Sequence, residues 1–335
     1  MNIIDMIEYE YQEETDMGFY GDLKELLSKK RGLEFEPKKD GSHSFCFKGS
    51  GGLNSNYNRT LNCVKNVFLL DKKFNKYFKE ATSGSGNEAL KINTIWSSSL
   101  LSLLFFYSTV IKNRGIVFPD KKLEGVVFTK CHFEFKNPVR VTQDNNHPSN
   151  IDCVLMDDSK KHLLFIESKF IEYKRDFRRK GPQESDVLKG EYEDDYTRHL
   201  YNWYKGKLNE KPFKGMYCYG AKQMITHYSG LCNFINGAFH PNMENSETNR
   251  SEIIDAFVNN KPSLYLIEVV YDLSNVGGSG KYKKWFDSYQ NVQTEMIKIM
   301  NDGKAGFEVL EMVTYQSLLK ENMLDETIKS FYFPN

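Results

Sequence analysis

Runs of apolar residues separated by polar, glycine-containing breaks divide this chain into predicted helices and strands. The first long run, 95–112, is apolar on most sides, which predicts a buried helix. The segment 125–136 instead alternates polar and apolar residues, with Lys130 and Glu134 on its polar side. That period of two predicts a strand.

The segments that follow continue this core. They are predicted, in chain order, as strands 152–157, 162–170 and 215–219, helix 221–235, strand 263–272, helix 282–300 and strand 306–313. The order of helix, three strands, helix and strand predicts an α/β (α+β) fold, in which helices flank a mixed β-sheet. We expect residues 1–80 to be an N-terminal elaboration packed on the core, and residues 81–335 to form the main domain.

Charge and cysteine content narrow the classes of protein to consider. The 45 Lys and Arg residues balance 45 Asp and Glu residues, so any site for a polyanion must be local. The six cysteines include no Cys-x-x-Cys pair, which excludes a zinc ribbon or a redox motif of that spacing. The N-terminal residues lack a signal-peptide pattern, and no apolar run is long enough to span a bilayer. We therefore expect a cytoplasmic protein with no membrane partner.

The sharpest local pattern is a hairpin with acids near its open end. If Ser159 and Lys160 form a two-residue turn, Asp152 lies opposite Glu167 on the neighbouring strand. Side chains alternate with period two, so Lys169 emerges on the same face as Glu167. Two carboxylates and an amine are thus predicted to meet at one end of the hairpin.

The chemistry of that group suggests hydrolysis of a phosphodiester. Both strands are otherwise apolar, so like charges there are costly, and a divalent cation would relieve the repulsion. Oxygen ligands favour Mg²⁺, with Mn²⁺ as a substitute, and the Ser168 carbonyl could add a ligand to Asp152 and Glu167. Lys169 would then orient a water or stabilise the transition state. The alternative is that Asp152 ends a loop and Glu167 pairs with Lys169 in an ordinary salt bridge.

The motif Asn150-Ile151-Asp152 followed by Glu167-Ser168-Lys169, in this order of elements, resembles the PD-(D/E)xK nuclease superfamily. It is most similar to bacterial proteins classed there as restriction endonucleases, a likeness supported by GSGNE at 84–88 and YGAKQMITHYSGL at 219–231. Ile151 stands where proline is frequent, which leaves open only the angle at which the chain enters the strand.

The resemblance covers about residues 82–272 and implies a restriction endonuclease-like fold with its catalytic core at about 85–272. It also implies a Mg²⁺-dependent DNA endonuclease, in restriction or another defence system. The alternatives are a DNA repair or junction nuclease, and a nucleic-acid-binding protein of the same fold without turnover. A cognate methyltransferase and a homodimer are partners that the resemblance brings into consideration.

Four further residues are candidates whose roles stay open. The resemblance implies that Gln223 supports the catalytic lysine or contacts a phosphate, whereas the alternative is a surface helix residue. It likewise implies that Glu88 completes the metal shell, although acids near helix starts are also favoured by the helix dipole. His227 lies one turn after Gln223. Glu134 is either a further site residue or the partner of Lys130 or Lys136 on its own strand.

A basic run begins at the proposed catalytic lysine. Its later cations are predicted to neutralise backbone phosphates, together with one lysine of the second core helix: Lys174, Arg175, Arg178, Arg179, Lys180 and Lys222. The alternative for the run is a solvated turn. No helix-turn-helix or zinc finger is visible, so the sequence predicts DNA as the partner without indicating how a base sequence is read.

Overall fold

A mixed six-stranded β-sheet with helices on both faces forms the centre of the protein. The structure is a computed structural model, and it describes residues 35–37, 45–47, 57–83, 92, 97–138, 148–170, 199–200, 202–204, 206, 219–237, 250–272, 274, 281–303 and 305–333. The predicted strand at 215–218 lies outside those residues, and Tyr219 already begins a helix.

The described elements follow one another along the chain as below. The strands are β1 (Phe35–Pro37), β2 (Phe45–Phe47), β3 (Phe128–Pro138), β4 (Pro148–Asp157), β5 (His162–Lys169), β6 (Ser263–Val270), β7 (Glu308–Val309) and β8 (Val313–Thr314). The helices are α1 (Tyr57–Val67), α2 (Phe74–Ala81), α3 (Ser98–Phe106), α4 (Tyr219–Ile235), α5 (Arg250–Asn260), α6 (Lys281–Asp302), α7 (Tyr315–Leu318) and α8 (Glu326–Tyr332). A π-helical turn, Tyr107–Lys112, continues α3.

The sheet combines an antiparallel half with a parallel half. Its strand order is β3-β4-β5-β6-β7, and β8 also pairs with β6. The first three strands are antiparallel and connected along the chain, whereas β5 and β6 are parallel. A parallel pair needs a long crossover, and α4 and α5 lie in the chain between these two strands. Short β1 and β2 pair with each other in a separate antiparallel sheet.

Each face of the sheet buries its own hydrophobic cluster. On one face, α1, α2, α3 and the C-terminal helices contribute to one cluster, including Leu61, Phe78 and Tyr315. On the other face, α4, α5 and α6 contribute to a second cluster. Helix α3 is almost entirely buried, as its continuous apolar run predicts, and the Ser97 side chain caps it by accepting from the amide of Leu100.

The predicted hairpin register is confirmed, but its turn differs. Cys153 pairs with Ile166 and Met156 with Leu163, which is the expected alignment of β4 on β5. The two central turn residues are Asp158 and Ser159 instead of Ser159 and Lys160, because the amide of Lys160 donates to the Asp157 carbonyl at 3.1 Å. The Asp157 carboxylate also accepts from the amides of Lys161 and His162. Lys160 itself takes a positive φ of 55°.

Three other differences from the predicted elements follow from packing. Helix α5 was not predicted, although Ile253 and Ala256 are spaced as one helix face and both are buried. The predicted strand 306–313 is divided into β7 and β8, which pair with different parts of β6. Strand β4 begins at Pro148, four residues before its predicted start, so Asp152 lies within a strand instead of ending a loop. Within the described residues, no helix has the length and apolarity needed to cross a membrane.

Candidate active site

Asp152 and the Glu167-Ser168-Lys169 triplet meet where β4 and β5 run side by side. Continuing the observed register places Asp152 opposite Glu167, and the amide of Ser168 donates to Asp152 Oδ2 at 2.7 Å. Glu167 and Lys169 are buried, and Asp152 is partly exposed. The hairpin therefore holds two carboxylates and an amine together, as its alternation predicted.

Helix α4 brings Gln223 to the amine of the triplet. Lys169 Nζ donates to Glu167 Oε1 and also to Gln223 Oε1. These two acceptors lie on different elements, so the ammonium is held between the sheet and the helix. Gln223 is therefore a partner of Lys169 and not a solvated surface residue. The Glu167–Lys169 ion pair is also the contact that the non-catalytic interpretation of this triplet expects.

Helix α4 supplies a second partner to Glu167, namely His227. Its Nε2 lies 2.6 Å from Glu167 Oε2, and its Nδ1 is hydrogen-bonded to Ser149 Oγ. All three side chains are buried. Ser149 was not predicted as a site residue, because a serine at a strand start carries no recognisable signal.

The series Ser149–His227–Glu167 contains the residue types of a nucleophilic triad, but with the opposite arrangement. In a serine hydrolase the nucleophile bonds to Nε2 and the acid to Nδ1, whereas here the two ring nitrogens have exchanged partners. Ser149 is also 6% exposed, so its hydroxyl is not presented to a substrate. Ser149 and His227 instead support Glu167.

Glu134 on β3 is a third acid of the site. Phe133 pairs with Cys153 and Phe135 with Ile151, so Glu134 stands opposite Asp152. Glu134 is buried. Lys130, one of the two lysines considered as its partner, instead bonds to a glutamate of α5 at 2.6 Å.

The backbone at Glu134 explains why the alternation of β3 did not place it correctly. Its φ is 54°, in the left-handed region that side chains other than glycine seldom adopt. Phe133 and Phe135 then lie in the clusters on opposite faces of the sheet, although regular alternation would put both on one face. Unusual backbone of this kind is concentrated at functional sites.

Glu268 on β6 adjoins the site and was also not predicted. It is the parallel neighbour of Glu167, and it is completely buried. Tyr289 on α6 donates its hydroxyl to Glu268 Oε1 at 2.5 Å. The available signal was one acid within the apolar strand sequence SLYLIEVV.

Burial and neighbouring charges move the two motif carboxylates in opposite directions. Burial raises the pKa of Asp152 well above its ordinary value, and Glu167 and Glu134 raise it further. Burial alone would also raise the pKa of Glu167, but Lys169 and His227 outweigh that effect and lower it to about 2. Glu167 is therefore ionised, whereas burial and the two neighbouring acids disfavour the ionised form of Asp152.

The motif is also supported from the opposite face of the sheet. The Ser168 hydroxyl lies 2.6 Å from the Tyr315 hydroxyl on α7, and it donates to the Ser98 carbonyl at the start of α3 at 3.2 Å. Tyr315 and Ser168 are fully buried. The middle residue of the triplet thus ties the site to the first cluster.

The carboxylate oxygens of Asp152, Glu167 and Glu134 are of the donor type that Mg²⁺ prefers. A carboxylate has about four lone-pair positions, so Glu167 retains acceptor capacity beside Lys169 and His227. In the part of the chain that the structure describes, no group of three or more His, Cys, Asp or Glu side chains is arranged to hold a metal ion. Asp152 and Glu167 match the donor type of Mg²⁺, and a metal ion at these two carboxylates is a proposal that rests on that donor type alone.

Several predicted site residues lie outside the described residues. These are the predicted metal ligand Glu88 and the predicted phosphate contacts Lys174, Arg175, Arg178, Arg179 and Lys180. Lys222 lies within α4, but its side chain is likewise outside the described set.

Comparison of the chain with family models, with curated proteins and with solved structures gives no match.

Proposed function

We propose that this protein is a Mg²⁺-dependent DNA endonuclease with a restriction endonuclease-like fold. The observation that carries the proposal is the placement of Asp152, Glu167 and Lys169 on paired strands, with two acids close enough to raise the pKa of Asp152. A cation would relieve that repulsion. The proposal is supported by the observed order of α3, three antiparallel strands, α4, α5 and a parallel strand, which contains the helix, three strands, helix and strand that the resemblance implies.

Each residue has a distinct role in the proposed reaction. Asp152 and Glu167, with the Ser168 carbonyl, would hold the ion. Bound Mg²⁺ supplies charge stabilisation for a phosphodiester and lowers the pKa of a water. Lys169, fixed by Glu167 and Gln223, presents its ammonium to that water or to the phosphate oxygens. Glu88 is retained as a further proposed ligand.

DNA is the proposed substrate, approached through the basic run from Lys174 to Lys180 and through Lys222. Restriction or another defence process in the cytoplasm is the proposed setting, with a cognate methyltransferase and a homodimer as proposed partners. A repair or junction nuclease is the second candidate. Binding without turnover is the third, and the buried Glu167–Lys169 pair is compatible with it as well.

The test compares the wild-type protein with Asp152→Asn and Glu167→Gln variants. Each is incubated with unmodified duplex, single-stranded and branched DNA and with RNA, in Mg²⁺, Mn²⁺ or EDTA. We expect wild-type cleavage of DNA in Mg²⁺ or Mn²⁺ that EDTA abolishes. Both variants should be inactive. Asp152→Asn should melt at an unchanged or higher temperature, because it removes a buried charge that is held against repulsion, whereas Glu167→Gln should melt lower, because it leaves Lys169 without its buried anionic partner. Cleavage by Asp152→Asn at the wild-type rate would refute the site.

A further inference from the structure

His227 and Ser149 form a buried series of hydrogen bonds that ends on Glu167. His227 donates or accepts at both ring nitrogens, one toward Glu167 Oε2 at 2.6 Å and the other toward Ser149 Oγ. Neither residue reaches solvent, since both are at least nine-tenths buried. This series of hydrogen bonds connects α4 to Ser149 near the start of β4, three positions before Asp152.

The close approach of α4 to the sheet makes this series of hydrogen bonds possible. A Cβ on Gly230 would lie 2.7 Å from Cβ of Asn137 and 3.5 Å from Cβ of Ser149. Only a residue without a side chain fits there, so α4 lies directly against the paired ends of β3 and β4. That contact places His227, one turn earlier, between Ser149 and Glu167.

The Glu167 carboxylate determines the direction of the hydrogen bond at Nε2. An ionised carboxylate only accepts, so Nε2 of His227 donates to Glu167 Oε2. The Ser149 hydroxyl, which can donate or accept, is the partner of Nδ1 and holds the ring in place. Glu167 is consequently held at Oε2 by His227 and at Oε1 by Lys169, in one orientation.

We infer that Ser149 and His227 are positioning residues that orient Glu167 for the metal ion. This inference rests on the proposed function and adds to it two residues that touch neither substrate nor water. Hydrogen-bond partners of metal ligands usually contribute about 10- to 100-fold in metal affinity or activity. The same range is expected here without a comparable loss of fold stability.

The experiment titrates metal-free protein with Mn²⁺ in a calorimeter and records the melting temperature of each variant. Ser149→Ala and His227→Leu should weaken Mn²⁺ binding by about 10- to 100-fold. His227→Gln, whose amide can replace the Nε2 donor, should recover most of the affinity. Ser229→Ala is the control, because Ser229 is equally buried in α4.

Unchanged Mn²⁺ affinity in both Ser149→Ala and His227→Leu would overturn the inference while leaving the proposed function intact. A melting temperature lowered in step with the affinity, without recovery by His227→Gln, would assign the pair a merely structural role. Wild-type protein that binds no Mn²⁺ would overturn the proposed function and this inference together. Ser149→Ala removes one oxygen only, so it tests the inference even if His227→Leu fails to fold.

A separate observation concerns the start of α2. Lys72 and Lys73 precede the helix and Lys76 lies within it; all three are exposed, and we call them the lysine surface. Asp71 is also exposed, and one of its oxygens accepts from the hydroxyl of a buried tyrosine at 2.6 Å and from the amide of Lys73 at 2.8 Å. Glu80 is buried against the backbone of β3.

The lysine surface is a cluster of three exposed cations within five consecutive residues. Within the described residues, Lys72, Lys73 and Lys76 form no ion pair with an acid, and the same is true of Lys121, Lys298 and Lys320, which lie on separate parts of the chain. The clustering of its cations is therefore what distinguishes the lysine surface, and a local cluster of cations fits a polyanion.

The position of α2 relates the lysine surface to the site. Glu80 accepts from the amide of Phe133 at 3.4 Å, and the next residue, Glu134, stands opposite Asp152. Helix α2 therefore flanks β3, the terminal strand of the sheet, on the face of the first cluster, whereas Gln223 and His227 approach the site from the face of the second cluster. We propose that the lysine surface binds the phosphate backbone of the DNA whose scissile bond lies at Asp152.

The test measures duplex DNA binding by fluorescence anisotropy in Ca²⁺ across a series of salt concentrations. Neutralising Lys72, Lys73 and Lys76 together to Gln should lower the slope of log affinity against log salt by up to about 0.9 for each lost contact. A control protein carries the same charge change at exposed lysines elsewhere, with Lys121, Lys298 and Lys320 changed to Gln.

Equal slopes for the two triple variants would overturn the role of the lysine surface. If wild-type protein does not bind DNA but binds anionic lipid vesicles, the proposed substrate fails and the surface has a different partner. Matching melting temperatures are expected for all three proteins, because each changed residue is exposed.

Discussion

Gly230→Ala tests the packing of α4 against the sheet. The added Cβ would lie 2.7 Å from Cβ of Asn137, whereas carbon atoms pack best at roughly 3.5–4.0 Å. Asn137 is completely buried, and the contacted atom is its Cβ, which cannot move without the backbone of β3. The helix or the strand must therefore shift by about 1 Å.

The shift has a stability cost and a separate cost at the site. Overpacking of a core costs about 1–3 kcal/mol, against which Gly→Ala in a helix gains up to about 1 kcal/mol. A net loss of about 1–2 kcal/mol corresponds to a melting temperature lower by roughly 2–6 °C. A displacement of about 1 Å at a catalytic group can reduce turnover by about 100-fold, and here it would separate His227 from Glu167.

The measurements are thermal unfolding and initial rates of DNA cleavage, with Gly206→Ala as the control. A Cβ at Gly206 meets no atom within 4 Å, so that variant should behave as the wild type. Gly230→Ala with wild-type melting temperature and wild-type turnover would refute the argument from close approach. A lower melting temperature with full turnover would refute only the link from the helix position to Glu167.

Three further predictions follow from the same contacts. Lys169→Met removes the cation that is paired with the buried carboxylate of Glu167, so it should destabilise the fold by about 3–5 kcal/mol and nearly abolish turnover. Calorimetry should still detect Mn²⁺ binding, and a parallel loss of Mn²⁺ binding would contradict the role of the amine. Burial lowers the pKa of His132 to about 4, below the value of about 6.5 in the unfolded chain. Between these two pH values the unfolded chain binds more protons than the folded protein, so the free energy of unfolding should fall by about 3 kcal/mol as the pH drops from about 6.5 to about 4. His132→Leu should therefore lose less melting temperature between pH 7 and 4 than the wild type, and equal losses would oppose this account. Changing the cations of 178–180 together to Ala should flatten the salt dependence of DNA binding by up to about 0.9 per contact without altering sequence preference, whereas an unchanged slope would make the run a solvated turn.

The parts of the site that the sequence predicted correctly depend on local rules. The register that brings Asp152 to the triplet follows from a short turn and from strand alternation, both encoded within about twenty consecutive residues. The mixed α/β class follows similarly from the order of elements. Even the unexpected turn preserved the register, because the Asp157 side chain bonds to the amides that follow it.

The residues that were missed depend on contacts between distant segments. Glu268 reaches Glu167 only through parallel pairing, and Ser149 reaches it only through His227 on a packed helix. Neither spacing nor periodicity encodes such contacts. Glu134 was placed on a solvated side because alternation assumes regular backbone, and its positive φ breaks that assumption.

The contact between Ser168 and Tyr315 also determines when, during synthesis of the chain, the support of the site is completed. A chain is synthesised from its N-terminus, so the motif strands emerge from the ribosome well before the segment that carries Tyr315. Until that segment docks, Ser168 lacks the Tyr315 hydroxyl, although its other partner, the Ser98 carbonyl, is already synthesised. In the proposed nuclease, the support of the motif from this face of the sheet is therefore completed only after Tyr315 has been added to the chain. Chains truncated before residue 315 should accordingly be inactive in the cleavage assay.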